Sequence, residues 1–321
     1  MIVVTGAAGM VGSNIIAGLN ALGIDRILAV DHLKNGKKMC NIADLDIVDY
    51  MDRDDFLARI QSGYDFGPIQ AVFHEGACSS TTEWDGQYLM RNNFEYSKDL
   101  LHWCLSKRIQ FLYASSASVY GLGERGFREK RQCENPINMY AYSKFQFDQY
   151  VRSFNWNFDS QVVGFRYFNV FGPRESHKGT MASTALHFNN QIVSNGVARL
   201  FGGTDGYSDG QQLRDFVYVD DCVTVNLWFL DRPINSGIYN LGTGKARSFN
   251  DMANTIINWH GKGTIEYIPF PEHLRGAYQF YTEADISALR EAGYDANFHS
   301  LEEGIKKYMA WLNLKHTQTA L

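Results

Sequence analysis

The chain has 321 residues, of which 45% are hydrophobic and 20% are charged, and its formal net charge is -5. The composition is mildly acidic, is typical of a globular protein and contains no long basic runs. It therefore lacks the usual signatures of proteins that bind nucleic acids or anionic membranes. No apolar run approaches the roughly 20 residues that span a bilayer, and the chain begins with the strand-like MIVV rather than with a leader, so we expect a cytoplasmic protein.

Short apolar runs alternate with longer segments of helical periodicity, which predicts parallel strands joined by crossover helices. The predicted strands are Ile2–Thr5, Ile27–Asp31, Ala71–His74, Phe111–Ser115 and Val162–Tyr167. The predicted helices are Val11–Leu22, Asp54–Gln61, Gln87–Lys107 and Asn138–Phe154. Because nearly continuous apolar strands need cover on both faces, we expect an α/β fold with a doubly wound parallel sheet of the Rossmann type.

After Tyr167 this alternation breaks, which predicts a smaller α/β lobe that binds the substrate. The elements predicted there are a helix near Ser183–Asn195, the strands FVYVDD and IYNLGTG, a helix at Phe249–His260, a strand at Ile265–Pro269 and helical segments from Thr282 and Leu301. We therefore expect a cofactor-binding domain of residues 1–168 and 213–244. The substrate lobe would contain residues 169–212 and 245–321.

Five dispersed cysteines, at positions 40, 78, 104, 133 and 222, include no CxxC pair. An odd, scattered set in a chain of this size predicts reduced thiols rather than disulfides. Neither the cysteines nor the nine histidines show the spacing of a metal site, so we expect no metal.

A glycine-rich turn, Thr5-Gly6-Ala7-Ala8-Gly9-Met10-Val11-Gly12, joins the first predicted strand to the first predicted helix. Glycines in this context let the backbone approach a pyrophosphate that rests on the helix N-terminus, which predicts a dinucleotide site. Asp31, at the end of the second strand, would accept hydrogen bonds from the adenosine ribose and favours NAD. Nearby bases that would surround an added 2'-phosphate favour NADP instead; they are His32, Lys34, Lys37, Lys38 and Arg53. The spacing alone does not decide between NAD and NADP. It also leaves open the alternative that the bases only form a solvated loop.

Ser116 ends the fourth predicted strand, and Tyr140 and Lys144 lie four residues apart on one face of the next helix. A positive charge 4 Å from the phenol is worth about 4 kcal/mol at an effective dielectric constant of 20. We therefore expect Lys144, with a positive nicotinamide ring, to lower the pKa of Tyr140 from about 10 toward 7. Ser116 would hold the reacting oxygen of an alcohol substrate. The alternative is a tyrosine that only packs beside a lysine.

In this order, the motifs resemble those of the extended short-chain dehydrogenase/reductase superfamily, and the strings from Arg214 to Asp221 and from Tyr239 to Gly244 extend the resemblance over the whole chain. Within the superfamily, the strings from His74 to Gly86 and from Phe165 to Glu175, followed by His177-Lys178-Gly179, are similar to those of the ADP-heptose 6-epimerases.

This resemblance implies epimerisation at C6 of the heptosyl group of ADP-D-glycero-D-manno-heptose, through a 6-keto intermediate with bound NADP, in lipopolysaccharide core precursor synthesis. It also implies a homo-oligomer, with a pentamer suggested. Related dehydratases usually carry an Asp-Glu pair where this chain has Ala117 and Ser118, so we do not expect dehydration. A UDP- or GDP-sugar epimerase or reductase, or a non-catalytic NADP-binding regulator, stays open as an alternative.

By the same resemblance, the catalytic residues are Ser116, Tyr140, Lys144 and Lys178. The implied cofactor contacts are Gly6, Gly9, Met10, Val11, Gly12, Asp31, His32, Lys38, Arg53, Glu75, Gly76, Ala77, Cys78, Ser79, Asn92, Lys144, Val170 and Lys178. The implied substrate contacts are Asn169, Thr180, His187, Phe201, Gly202, Gly203, Thr204, Arg214 and Tyr278. The positions that differ from the residues usual in the family are His32, Arg53, Thr180 and Gly202, and the stretch 206–212 is longer than usual.

Two of these residues have alternative interpretations. From the sequence alone, Lys178 is a loop lysine that contacts phosphate, whereas the resemblance makes it the acid/base opposite Tyr140. The planar guanidinium of Arg214 suits a diphosphate. The alternative is a surface pair between Arg214 and Asp215 or Asp220.

Overall fold

The computed structural model describes residues 1–232, 236–272, 276 and 278–319. Its strands are β1 (Ile2–Thr5), β2 (Ile27–Asp31), β3 (Asp49–Asp52), β4 (Ala71–His74), β5 (Gln110–Ser116), β6 (Val162–Tyr167), β7 (Asn169–Phe171), β8 (Val197–Phe201), β9 (Leu213–Arg214), β10 (Phe216–Tyr218), β11 (Gly237–Leu241), β12 (Arg247–Ser248) and β13 (Thr264–Ile268). Its α-helices are α1 (Met10–Ala21), α2 (Arg53–Gln61), α3 (Gly86–Leu89), α4 (Tyr96–Lys107), α5 (Met139–Arg152), α6 (Thr184–Asn195), α7 (Val219–Asp231), α8 (Phe249–His260), α9 (Ser287–Glu291) and α10 (Leu301–Thr319). None of the helices described combines the length and the apolar character needed to cross a membrane.

Seven strands form one parallel sheet in the order β11-β6-β5-β4-β1-β2-β3. From β1 the chain adds strands outward to β3, and it then returns to the other side of β1 and continues outward from β4. In open parallel sheets, ligands bind at the carboxyl ends of the strands where the direction reverses. The strand order therefore places a ligand-binding crevice between β1 and β4.

The central strands are buried on both faces of the sheet. Along β1, Ile2 and Val4 belong to a core cluster with apolar residues of α1 and α7, whereas Val3 belongs to a cluster with residues of α4 and α5. Burial on both faces explains why these strands are apolar at consecutive positions rather than at alternate ones. The predicted doubly wound α/β fold of the Rossmann type is confirmed.

Strand β3, whose residues are Asp-Tyr-Met-Asp, was not predicted. This strand lies at the edge of the sheet, and in the part of the chain that the structure describes its one partner strand is β2. Of its four residues only Met51 is buried, so it lacks the apolar run that identified the others. As a consequence, the serine pair predicted at the end of the fourth strand lies at the end of β5.

The single helix predicted at 87–107 is interrupted. A π-helical segment, Met90–Glu95, separates α3 from α4. The segment presents two neighbouring asparagines to different partners: Asn92 lines a cleft, and Asn93 bonds to the backbone N–H and carbonyl of Cys78 and to Ser143. Such π-turns occur preferentially at functional sites.

The remaining elements surround a separate apolar cluster that includes Phe188, Ile192, Met252 and Tyr308. Three short strand pairs, β7 with β10, β8 with β13 and β9 with β12, flank it. The start predicted for the helical segment from Thr282 is wrong, because α9 begins only at Ser287. The Thr282 hydroxyl instead accepts a hydrogen bond from the Asp215 amide and donates one to Asn169, so tertiary contacts fix this segment. The proposed division of the chain into two domains stays a prediction.

Candidate active site

A cleft of about 1040 Å³ opens where the strand order reverses. The predicted catalytic residues and the cofactor contacts implied by the family resemblance all line this cleft. Of the bases near Asp31, Lys34 and Lys37 are exposed and do not line it. Five of the predicted substrate contacts line it as well, namely Asn169, His187, Phe201, Arg214 and Tyr278. The structure thus brings together residues from both ends of the chain.

Four predicted substrate contacts lie outside the lining: Thr180, Gly202, Gly203 and Thr204. Local contacts account for the last three. The Gly202 amide donates to Ile268, the Gly203 amide to Asp209, and the Thr204 hydroxyl to Asp205. The stretch 206–212 thus folds back onto the residues that precede it. The roles predicted for the four residues remain predictions.

The cleft also contains residues that sequence reasoning did not single out, among them Tyr88, Tyr96, Tyr167, Gln191 and Gln212. They come from elements far apart in the chain, so no motif spacing connects them. Of these five, only Tyr167 could have been identified from the sequence, because it lies within the family-like string that begins at Phe165.

The glycine turn between β1 and α1 has no room for side chains. Gly6 has a φ of 66°, and a Cβ on it would lie 2.6 Å from the Gly76 nitrogen. A Cβ on Gly12 would lie 2.3 Å from the Gly6 carbonyl oxygen. Gly9 is the N-cap of α1 and supplies no side-chain cap. The helix N-terminus therefore points bare backbone amides into the cleft, which suits a phosphate group.

Unpaired polar atoms mark the same end of the cleft. His32 Nδ1, Asn92 Nδ2 and the Tyr96 hydroxyl are buried and have no hydrogen-bond partner among the residues described. Buried polar groups without partners are costly. Together with the glycine turn, these atoms fit a ligand rich in hydrogen-bonding groups, such as a nicotinamide dinucleotide.

Asp31, predicted to contact the adenosine ribose, already has three partners. Its Oδ2 accepts from the Ala8 amide at 2.8 Å, and its Oδ1 accepts from the His32 amide at 2.7 Å. Lys38 Nζ lies 2.5 Å from Oδ1. The carboxylate thus ties β2 to the glycine turn, and its charge is paired with that of Lys38.

Ser116 and Tyr140 meet at the carboxyl end of β5. The Ser116 Oγ accepts hydrogen bonds from the Ser118 amide at 3.2 Å and from the Ser118 hydroxyl at 2.9 Å. Its own proton is therefore free to be donated, and the Ser116 side chain lies near enough to Tyr140 to act on the pKa of that phenol. Asn138 caps α5 by accepting from the Ala141 amide at 2.8 Å, which fixes the helical turn that carries Tyr140.

In the protein alone, Lys144 does not lower the pKa of Tyr140. Burial raises this pKa, and the Ser116 side chain opposes the rise. The joint effect expected of Lys144 and a nicotinamide ring stays a prediction. Lys144 donates instead to the Ala114 carbonyl at 2.7 Å, and burial lowers the pKa of its amine to about 8. A shared helical face thus places the two side chains in one cleft without determining their electrostatic coupling.

His74 joins the glycine turn to α4. Its Nδ1 lies 2.7 Å from the Thr5 hydroxyl, and its Nε2 lies 2.8 Å from the Ser97 hydroxyl. Because Ser97 donates its hydroxyl hydrogen to the Asn93 carbonyl, the ring must donate from Nε2. Burial lowers the pKa of the ring to about 3, so the ring is neutral near pH 7 and its Nδ1 accepts from the Thr5 hydroxyl.

We expect this histidine to make folding sensitive to acid. The folded pKa of about 3 lies below the ordinary value of 6.5, so the unfolded chain binds the extra proton and stability is lost as the pH falls from 6.5 toward 3. Urea unfolding at about pH 7.5 and about pH 5 measures this. The loss between the two pH values should be smaller in His74→Gln than in the unmodified protein; an equal loss in both would contradict the assignment.

Glu75, which follows His74, is a buried carboxyl group with a raised pKa. Burial raises its pKa to about 7, while Lys144 and the Tyr167 hydroxyl oppose this rise. Tyr167 donates to Glu75 Oε1 at 3.2 Å and accepts from Asn226 Nδ2 at 2.9 Å. The cleft therefore holds a carboxyl group that exchanges its proton near neutral pH.

Arg214 lies at the opposite end of the cleft, buried between two rings. Its guanidinium carbon is 4.8 Å from the Tyr278 ring centre and 5.6 Å from that of Phe249. The alternative of a surface ion pair is wrong, since Asp215 accepts from the amides of Thr243, Gly244 and Ala284. Asp220 lies 3.8 Å from Lys307. Among the residues described, no carboxylate pairs with Arg214, which leaves a buried cation available to an anionic ligand.

A buried ion cluster lies behind Ser116 and Tyr140. Arg166 on β6 is fully buried and pairs with Glu134 and, at 2.8 Å, with Asp148 on α5. Asp148 also accepts from Tyr113 at 3.0 Å and from Ser115 at 2.9 Å. The cluster joins β6 to β5, which carries Ser116, and to α5, which carries Tyr140.

This fold and site are those of a nicotinamide-dependent epimerase or dehydratase. The chain belongs to the NAD dependent epimerase/dehydratase family, whose model matches residues 2–242.

More specific similarity confirms the resemblance to heptose 6-epimerases. Over 309 residues, 96% of this chain and 96% of the relative, the sequence is 57% identical to the ADP-L-glycero-D-manno-heptose-6-epimerase of Alkalilimnicola ehrlichii. The solved ADP-L-glycero-D-manno-heptose-6-epimerase of Helicobacter pylori matches with a TM-score of 0.82 and 29% identity, covering 97% of this chain and 96% of that one. A UDP-N-acetylglucosamine 4-epimerase from Methanobrevibacter ruminantium matches with a TM-score of 0.83 and 24% identity, covering 98% of each chain, a likeness that shows the fold alone.

Proposed function

We propose that the protein epimerises C6 of the heptosyl group in ADP-D-glycero-D-manno-heptose to give ADP-L-glycero-D-manno-heptose. The observation that carries this proposal is that Ser116 and Tyr140 line the same cleft as the buried Arg214. The pair suits an alcohol, and the cation suits a diphosphate. The 57% identity to a heptose 6-epimerase supports this sugar over UDP- or GDP-linked ones.

The chain's own groups handle the proton and the position of the sugar. Tyr140 takes the proton of the C6 hydroxyl, and Ser116 donates a hydrogen bond to the same oxygen. A bound nicotinamide supplies hydride acceptance and return. Lys178, which lines the cleft, serves as the acid/base for the 6-keto intermediate after it has turned its other face. Since the product has the same oxidation state as the substrate, no net redox change occurs.

We infer that the cofactor is NADP rather than NAD. Because the charge of Asp31 is already paired with Lys38, it does not repel a 2'-phosphate at this place. Lys38, His32 and Arg53 line the same part of the cleft and offer donors to that phosphate. An arginine or lysine on a phosphate oxygen forms a charge-assisted hydrogen bond, the stronger kind.

Replacing Lys38 should change the preference between the two cofactors. In Lys38→Met we expect the affinity for NADP to fall about ten- to hundredfold, the worth of a charge-assisted hydrogen bond, while the affinity for NAD changes little. Isothermal titration calorimetry with both cofactors measures this ratio. Lys34→Met is the matched control, because Lys34 is exposed and does not line the cleft. Equal weakening of both cofactors would argue for a general effect on the turn.

Arg214 should matter to the substrate and not to the cofactor. We expect Arg214→Gln to raise the KM for the ADP-heptose about ten- to hundredfold, since the diphosphate loses a buried charged partner. The cofactor dissociation constant should stay the same. Steady-state kinetics and calorimetry measure the two quantities, with Arg59→Gln on the exposed face of α2 as the control. An unchanged KM would remove Arg214 from the substrate site.

The test of the proposal uses the purified protein and ADP-D-glycero-D-manno-heptose without added cofactor. Proton NMR of the anomeric signals should show the L-glycero product accumulating to an equilibrium mixture, with no net change in NADPH absorbance. No conversion, even with NADP added, would overturn the heptose assignment and direct the search to UDP- and GDP-sugars. Intact NADP binding without turnover of any of these would indicate a regulator. The cytoplasmic location, the homo-oligomeric state and the place in lipopolysaccharide synthesis remain predictions.

A further inference from the structure

The segment that carries Lys178 is closed at both ends by one buried carboxylate. This segment, residues 172–183, runs from the end of β7 to the N-cap of α6 and contains a 3-10 turn, Ser176–Met181. Glu175 is fully buried. Its Oε2 accepts from the Ser183 amide and its Oε1 from the Ser183 hydroxyl, both at 2.6 Å. The Gly172 amide lies 3.5 Å from Oε1. Glu175 thus draws the two ends of the segment together.

Contacts with the cofactor side hold the same segment from the other direction. Arg174 donates to the Asn41 carbonyl at 2.7 Å and pairs with Asp44 at 2.6 Å. Asn41 Nδ2 in turn donates to the Arg174 carbonyl at 2.9 Å and lies 3.0 Å from His177 Nδ1. Lys178 follows directly after this anchor, and its amide donates to the Glu175 carbonyl at 2.9 Å. The backbone position of Lys178 is therefore fixed from two sides.

Glu175 also acts on Lys178 through its charge. Burial lowers the pKa of the Lys178 amine, and the negative charge of Glu175 opposes this effect. The same charge, after burial, raises the pKa of the Tyr308 hydroxyl on α10. The other titratable groups around the cleft end of this segment are His177 on the segment, His187 on α6, Tyr140 on α5, and Asp31 and Lys38 on the cofactor side. Among the residues described, Glu175 is the group whose charge favours the ammonium form of Lys178.

We propose that Glu175 is a positioning residue for Lys178: its carboxylate closes the 172–183 segment on Ser183, its carbonyl holds the Lys178 amide, and its charge acts on the amine that this backbone carries. This inference rests on the proposed function, in which Lys178 is the acid/base opposite Tyr140. Glu175 touches neither substrate nor cofactor in this role, because it lies fully buried behind the segment and does not line the cleft.

The decisive experiment measures the Lys178 amine directly. Protein labelled with 13C at the lysine ε-carbons is titrated by NMR, and loss of one signal in Lys178→Met assigns that signal. In Glu175→Gln we expect the Lys178 titration to move to lower pH, because the opposing charge is gone while the side-chain shape is kept. Ser183→Ala is the control: it removes one hydrogen bond to the carboxylate but keeps the charge, so the titration should stay close to that of the unmodified protein.

Activity provides the second readout. In Glu175→Gln the limb of the pH–rate profile that belongs to Lys178, identified by its loss in Lys178→Met, should shift in the same downward direction, and kcat should fall roughly tenfold. If Glu175→Gln does not fold, Glu175→Asp withdraws the charge by one methylene and should give a smaller downward shift. An unmoved Lys178 titration in the folded variant would overturn the inference even if the enzyme epimerises heptose. Absence of heptose turnover in the unmodified protein would overturn the proposed function, and the NMR titration would still decide the role of Glu175.

Discussion

Replacing Tyr140 with phenylalanine should lower turnover of ADP-heptose on the order of a thousandfold, within the range that general acid–base groups contribute. The ring remains to pack against its neighbours, but the hydroxyl proposed to take the substrate proton is lost. Because burial raises the pKa of Tyr140 in the protein alone, we expect its ionisation to require the positive charge of a bound nicotinamide ring. Turnover is measured by the NMR assay, and cofactor affinity by calorimetry.

The matched control for this change lies on the same helix. Tyr142 is two residues further along α5 and is 41% exposed, so Tyr142→Phe should keep nearly normal turnover. Cofactor affinity should change little in Tyr140→Phe, which separates loss of chemistry from loss of binding. Near-normal turnover in Tyr140→Phe would remove Tyr140 from the mechanism.

The largest effect on stability is expected from Arg166→Leu, which should lower the free energy of unfolding by about 3–5 kcal/mol, as removal of one partner from a buried ion pair does. Among the described residues, the hydrogen-bond partners that this change leaves to the buried Asp148 are the neutral hydroxyls of Tyr113 and Ser115. Glu134 retains Arg152 at 2.7 Å, so the loss falls mainly on Asp148. Urea unfolding measures the difference.

An exposed ion pair is the control for Arg166. Arg128 pairs with Asp285 at 2.6 Å and is 61% exposed, so Arg128→Leu should leave stability nearly unchanged. Equal effects in the two variants would show that burial of the Arg166 cluster does not determine its contribution.

The fold was predictable where a local pattern reports burial. The apolar runs of β1, β2, β4 and β6 identify strands because both faces of the central sheet are covered. Strand β3 is covered less and carries polar residues, and the residues after Thr282 take their shape from contacts with Asp215 and Asn169. Neither feature produces a periodic hydrophobic pattern within its own segment.

The same distinction applies to the site. The glycine turn and the Tyr140–Lys144 pair depend on spacing within one segment, and the structure places them in one cleft. The burial of Arg214 between two rings depends on distant residues, so the sequence left its pairing open. The direction of the Tyr140 pKa shift depends on desolvation and on which acceptor takes the hydrogen bond from Lys144. The spacing of residues in the sequence indicates neither.

The pairing of β7 with β10 has a consequence for how this architecture diversifies. The two short strands run side by side, with Asn169 opposite Phe216 and Phe171 opposite Tyr218, so residues 172–215 leave and re-enter the sheet region at neighbouring points. An excursion with adjacent ends can gain or lose residues at small entropic cost and without shifting the strands that hold it. The stretch 206–212 lies within this excursion. We expect different substrate nucleotides and sugars to be accommodated by remodelling the excursion, while the dinucleotide end of the cleft stays the same.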